Sequence, residues 1–245
     1  RHLIVNNNMQ NNNSPILIRI TTLPASLRGL LKGQIKYISN HGFEVVAVSS
    51  SGKALDRVSD DEGVRVEAVD MTRTISPVKD LKALWQLYKL FRKEKPDIVH
   101  THTPKAGTLG MIAAWMARVP IRMHTIAGLP LLEAIGAKRW LLDSVEKVTY
   151  ACATKIYPNS FAMQNIILQN RYTTAEKLMV IGNGSSNGID TSEFDPQLVS
   201  EDTKMSMRDE LEIKDNDFVF LFVGRMVTDK GINELIKSFV GAYDN

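Results

Sequence analysis

A chain of 245 residues, with 44% hydrophobic and 23% charged residues, has the balance of a globular protein and room for one large or two modest domains. Wholesale disorder and fibrous repeats are excluded. One cysteine excludes a disulfide framework and a thiolate zinc cluster. The net charge of +3 is mild but unevenly placed: Arg1, Arg19, Arg28, Lys32 and Lys36 all precede the first acid, Glu44. A second acid-free run, residues 98–132, holds Lys105, Arg118 and Arg122. Both runs fit either an anionic partner or a solvated basic surface. The five His form no HExxH motif, there is no EF-hand loop, and no apolar run reaches the roughly 18 residues that span a bilayer.

Residues 1–13 carry six Asn and no strand or helix period, so a disordered leader is expected there, without the apolar core of a signal peptide. Strands are expected at 16–22, 44–50, 64–69, 97–101, 121–126, 155–157 and 177–181. Between them, apolar stripes, stop signals and, at 107–118, a run of small residues predict helices at 26–40, 53–61, from Pro77 to Pro96, and at 107–118, 137–150 and 160–170. This alternation is the pattern of βαβ units and a doubly wound, mainly parallel sheet. The texture changes at GNGSSNGIDTSEFDP, residues 182–196, a run of turn formers. A helix near 203–211, an apolar strand at 218–223 and a helix from Gly231 then begin a second β/α unit. The expected organisation is a leader over 1–13, a first domain over 14–195 and the start of a second over 196–245.

Ligands of open parallel sheets sit beyond the carboxyl ends of the strands. Neither GxGxxG nor GxxxxGK[ST] follows a strand here. His100 and His102 end a strand in HTHTPKAG, and alternation puts both on one side with Thr101 opposite. They are either satisfied rim histidines or a functional pair; the edge position favours function, as a hydrogen-bond partner or a proton carrier near neutral pH. Gly224-Arg225 and Lys230-Gly231 flank a turn between a strand and a helix. They read as a pyrophosphate cradle or as an ordinary solvated turn. On the first helix Arg28, Lys32 and Lys36 edge an apolar arc of Leu27, Leu30, Leu31, Ile35 and Ile38, which suits an anionic lipid surface or a solvated face.

These motifs in order (LPxSLxxLLKGQ, PDIVHTHTPKAG, GAKRWLL, GSSNGID, FVGRMxxDKG) resemble a bacterial family 4 glycosyltransferase of the two-domain GT-B type. The resemblance runs from about Ile16 to the end. HTPKAG with GSSNGID is similar to the capsule, O-antigen and N-glycan branch, which extends polyprenyl-pyrophosphate-linked sugars. It implies a Rossmann-like fold and a retaining transfer from a nucleotide-sugar, a UDP-sugar by expectation. It further implies that no metal or cofactor is required, that no nucleic acid takes part, and that the enzyme is peripheral on the cytoplasmic face of the membrane. His102 would reach the donor sugar or reacting centre. Arg225 and Lys230, with Gly224 and Gly231, would hold the donor diphosphate. Pro24, Ser26, Leu27, His100, Thr125, Gly128, Ser160 and Asn187 would line the acceptor cleft, although the Gly-Gly that relatives often carry near Pro24 is absent. The E-x7-E pair of the family's donor domain is also absent, so the chain is expected to be a C-terminally truncated, inactive fragment. A nucleotide-sugar epimerase and a non-catalytic nucleotide or lipid-phosphate binding module are the alternatives.

Overall fold

Short apolar runs rich in Val and Ile form six strands: β1 (Ile16–Ile20), β2 (Glu44–Ser49), β3 (Arg65–Ala68), β4 (Ile98–Thr101), β5 (Ile121–Ile126) and β6 (Lys155–Pro158). They pair in parallel in the order β3-β2-β1-β4-β5-β6. The order reverses between β1 and β4, and that is where a doubly wound sheet opens a crevice. Seven helices connect and follow the strands: α1 (Pro24–Leu30), α2 (Gln34–Ser39), α3 (Lys53–Glu62), α4 (Pro77–Glu94), α5 (Pro104–Met116), α6 (Gly136–Cys152) and α7 (Phe161–Gln169). This computed structural model describes residues 14–185, 188–224, 226–227 and 230–243.

The chain divides into two compact units after Gly188. In the first, α1, α2 and α3 cover one face of the sheet, burying Leu27, Leu31, Ile35, Leu55 and Val58 against Leu17, Val45 and Ala47. On the opposite face Leu87 and Phe91 of α4 and Met111 of α5 pack on Ile18, Ile20, Val46 and Val99. The small residues of α5 let it lie close to the sheet. A Cβ on Gly110 would sit 2.6 Å from Thr101 Cγ2, and one on Gly107 would overlap the His124 ring. In the second unit, α8 (Glu201–Glu210) and α9 (Ile232–Tyr243) flank residues 218–223.

Three sequence expectations change. The stripe at 26–40 is two helices, because Gly33 adopts φ +75° and breaks the ladder between α1 and α2. The strand expected at 177–181 is a single bridge between Ile156 and Leu178, since Pro158 has no N–H to carry the pairing further. The apolar run 218–223 forms no strand: among the described residues of its unit none pairs with it, and Phe218, Leu221 and Val223 stay more than 80% exposed.

Candidate functional site in the sheet crevice

A cleft of about 430 Å³ opens on the α2 side of the sheet at the crevice between β1 and β4. Alternation along the strands sends Arg19 from β1, His100 and His102 from the end of β4, Thr125 from β5 and Tyr157 from β6 to this one face. Gln34 of α2 walls one side, and Asn159 and Ser185 line the far rim. The His100 and His102 rings stand 4.0 Å apart.

Arg19 organises the floor. It is 3% exposed, donates Nε–H to His102 Nε2 at 3.0 Å and Nη2–H to Gln34 Oε1 at 3.2 Å. Burial pushes its guanidinium down to about 10, partly offset by the charge of Glu62. Arginine is only ever a donor, so His102 Nε2 must accept. The neutral ring then carries its proton on Nδ1. Burial holds the His102 imidazolium well below the usual histidine range, and neighbouring His100 and Arg19 add to the effect. His100, bonded through Nε2 to Thr125 Oγ1 at 2.8 Å, is depressed for the same first reason. With the charged form disfavoured by burial, His102 is set up as a neutral N–H donor, the hydrogen-bonding member of the two roles expected of it. Such a group suits a sugar hydroxyl oxygen.

Of the expected cleft residues, His100, His102 and Thr125 meet in the cleft. Ser160 instead caps α7, its hydroxyl accepting the Met163 N–H at 3.1 Å. Gly128 is exposed on the loop after β5 and lies outside the cleft lining. Pro24, Ser26 and Leu27 form the first turn of α1 rather than a loop, and Leu27 is 1% exposed in the core. Asn187 and Arg225 lie outside the described residues. Gly224, Lys230 and Gly231 belong to the second unit; Lys230 is exposed and Gly231, at φ +71°, precedes α9. The basic edge is not free of acids: Arg28 pairs with Asp61 at 3.2 Å, and Glu62 accepts the Gly33 and Lys36 amides. Lys32 lines the same surface hollow. Arg19 and Gln34 were missed. A lone charge at the middle of an apolar strand triplet, IRI, was the available signal for Arg19.

Residues 31–184 match the model of the glycosyl transferase 4-like domain, and the matched segment carries both cleft histidines. The chain belongs to that family. The capsular polysaccharide biosynthesis glycosyltransferase CapM of Staphylococcus aureus is 41% identical over 86% of this chain and 53% of its own length. The UDP-Gal:alpha-D-GlcNAc-diphosphoundecaprenol alpha-1,3-galactosyltransferase of Escherichia coli is 32% identical over 91% of this chain and 57% of its own. This glycosyltransferase domain thus spans about half the length of these curated relatives. Anabaena Alr3699/HepE, solved in complex with UDP, shares the fold with a TM-score of 0.64 at 19% identity, over 92% of this chain and 57% of that one.

Proposed function

We propose that this glycosyltransferase domain is the acceptor-side half of a two-domain GT-B enzyme that builds a surface polysaccharide. The reaction moves a sugar from a nucleotide-sugar, by preference a UDP-sugar, to a polyprenyl-pyrophosphate-linked saccharide, with retention and without a required metal. The observation that carries this reading is His102. It is a neutral, tautomer-locked imidazole at the carboxyl edge of β4, turned into a cleft of about 430 Å³ beside a buried guanidinium. A fixed N–H donor placed before any substrate arrives needs no reorganisation when a sugar hydroxyl or developing charge meets it. The E. coli relative, a galactosyltransferase from UDP-Gal to a diphosphoundecaprenol-linked sugar, supports the substrate class, and CapM supports the polysaccharide role. The boundary near 188–195 would separate this half from a donor-binding half opened by Gly224, Arg225, Lys230 and Gly231. No helix among the described residues is long and apolar enough to cross a membrane, so the domain would meet its lipid-linked acceptor peripherally, on the cytoplasmic face.

The test is transfer of radiolabelled sugar from a UDP-sugar to a short-chain polyprenyl-pyrophosphate saccharide by the full-length enzyme. Removing one preorganised donor can cost on the order of 100-fold in rate. His102→Ala, Arg225→Ala and Lys230→Ala are each expected to lower kcat on that scale. Wild-type kcat in all three variants, or epimerised nucleotide-sugar as the product, would overturn the assignment.

A further inference from the structure

The helical layer on the side of the sheet away from the cleft has an outer surface that does not look like a solvated face. On α4, Val78, Leu81 and Trp85 are 83%, 67% and 51% exposed. At the start of α6, Ile135, Trp140 and Leu141 are 88%, 71% and 42% exposed. The two helices flank α5 and meet at one hollow of about 280 Å³, lined by Asp80 of α4 and Leu141 of α6 together with Pro104 and Lys105 of α5. Large apolar side chains gathered at one place mark an interaction surface.

The charges around them that are exposed and make no ion pair among the described residues are mainly basic. Lys79, Lys82 and Lys89 on α4 and Lys138 and Lys147 on α6 make no ion pair among the described residues. The acids of the two helices are engaged. Asp80 pairs with Lys105 at 2.5 Å, Asp143 with Arg139 at 2.9 Å and Glu94 with Arg65 at 2.6 Å, while Glu146 is half-buried. Lys89 also lies 5.7 Å from the Trp85 ring centre. Exposed tryptophans among aliphatic side chains, ringed by unpaired lysines, match the interface of an anionic bilayer: rings at headgroup depth and ammonium groups among lipid phosphates.

We propose that this α4–α6 face docks on an anionic membrane surface, resting on the reading that the acceptor is lipid-linked. Pro104 and Lys105, two and three residues after His102 along the chain, line the hollow between the two helices. The occupant is the bilayer rather than a protein because the face joins apolar insertion residues to exposed lysines, while among the described acids of α4 and α6 none is both exposed and unpaired. The first-helix edge is the weaker candidate: Asp61 and Glu62 counter Arg28 and Lys36, and its apolar arc is buried.

The chain is sedimented with vesicles of phosphatidylcholine alone and of phosphatidylcholine mixed equally with phosphatidylglycerol. Binding is expected only to the anionic vesicles, with a blue shift of tryptophan emission. Trp85→Ser with Trp140→Ser should lower the partition coefficient at least about tenfold and abolish the shift, leaving the circular dichroism unchanged. Each of Lys79→Ser, Lys82→Ser and Lys138→Ser should cost about fivefold. The triple change Arg28→Ser, Lys32→Ser, Lys36→Ser should leave binding within about twofold of wild type. Wild-type binding by the tryptophan pair variant, loss confined to the first-helix triple, or no vesicle binding at all would overturn the proposal. The transferase reading is scored separately: turnover of a short-chain acceptor by the full-length enzyme stays at wild type in the tryptophan pair variant, and its absence from wild type sinks that reading alone.

Discussion

Glu62 is the last residue of α3, yet it caps a different helix. The N-terminus of α2 has no side-chain cap of its own, because Gly33 stands there. Glu62, 7% exposed, accepts the Gly33 N–H on Oε1 at 2.7 Å and the Lys36 N–H on Oε2 at 2.9 Å. A hydrogen bond to a charged group contributes about 1.5–3 kcal/mol net. Both amides belong to exposed residues and recover water when freed, so Glu62→Ala should cost about 2–3 kcal/mol in total. A domain of this size loses roughly 2–4 °C per kcal/mol, which puts the fall in Tm at roughly 4–12 °C. The neighbouring acid is the control. Asp61 forms only a half-exposed pair with Arg28, and Asp61→Ala should stay within about 0.5 kcal/mol. Thermal melts followed by circular dichroism and urea titrations measure both. Equal Tm values for the two variants would refute the cap, and with it the claim that α3 positions α2, whose Gln34 holds Arg19 against His102.

Two further outcomes are expected. Gly110→Ala should cost about 1–3 kcal/mol, because its new methyl meets Thr101 Cγ2 at 2.6 Å; Thr101→Ser in the same chain should restore part of that loss, and denaturant midpoints of the four proteins decide it. Burial pushes His124 down to about 4 from its usual 6.5, so in that window the unfolded chain binds the extra proton and stability falls as pH falls. The loss starts near pH 6.5, is complete near pH 4 and amounts to about 3 kcal/mol, about 2 of it by pH 5; His100 and His102 act in the same direction. Urea midpoints that coincide at neutral pH and at about pH 5 would contradict it.

The parallel sheet was legible because most strands are apolar runs between turn formers and most helices carry an apolar stripe, α5 being marked instead by its small residues. The positions of His100 and His102 followed from strand alternation and the rule for strand ends. The break at Gly33 was not legible, since the apolar stripe continues through it and only the backbone angle ends the first helix. The cap from Glu62 was invisible for another reason: its partners lie 29 and 26 residues away in sequence. Residues 218–223 read as a strand because propensity describes a side-chain pattern, while a strand also needs a neighbour for its N–H and C=O groups. Ser160 shows the reverse. Its position at a strand end suggested a rim residue, and its hydroxyl is spent on the first turn of α7.

The hydrogen bond from Arg19 to His102 joins residues 83 apart, across two strands that are neighbours only in space. No short segment of this chain therefore contains a rudimentary site. During synthesis β1 waits, with one edge unpaired, until the ribosome has delivered β2, β3 and the long helix α4, and only the arrival of β4 closes the edge and brings the imidazole to the guanidinium. A chain cut between β3 and β4 would keep a three-stranded β3-β2-β1 half with a buried-type arginine facing solvent on an open edge. Adding the remaining segment in trans would then report on a single event, the docking of β4 against β1, with the perturbed histidine as its indicator.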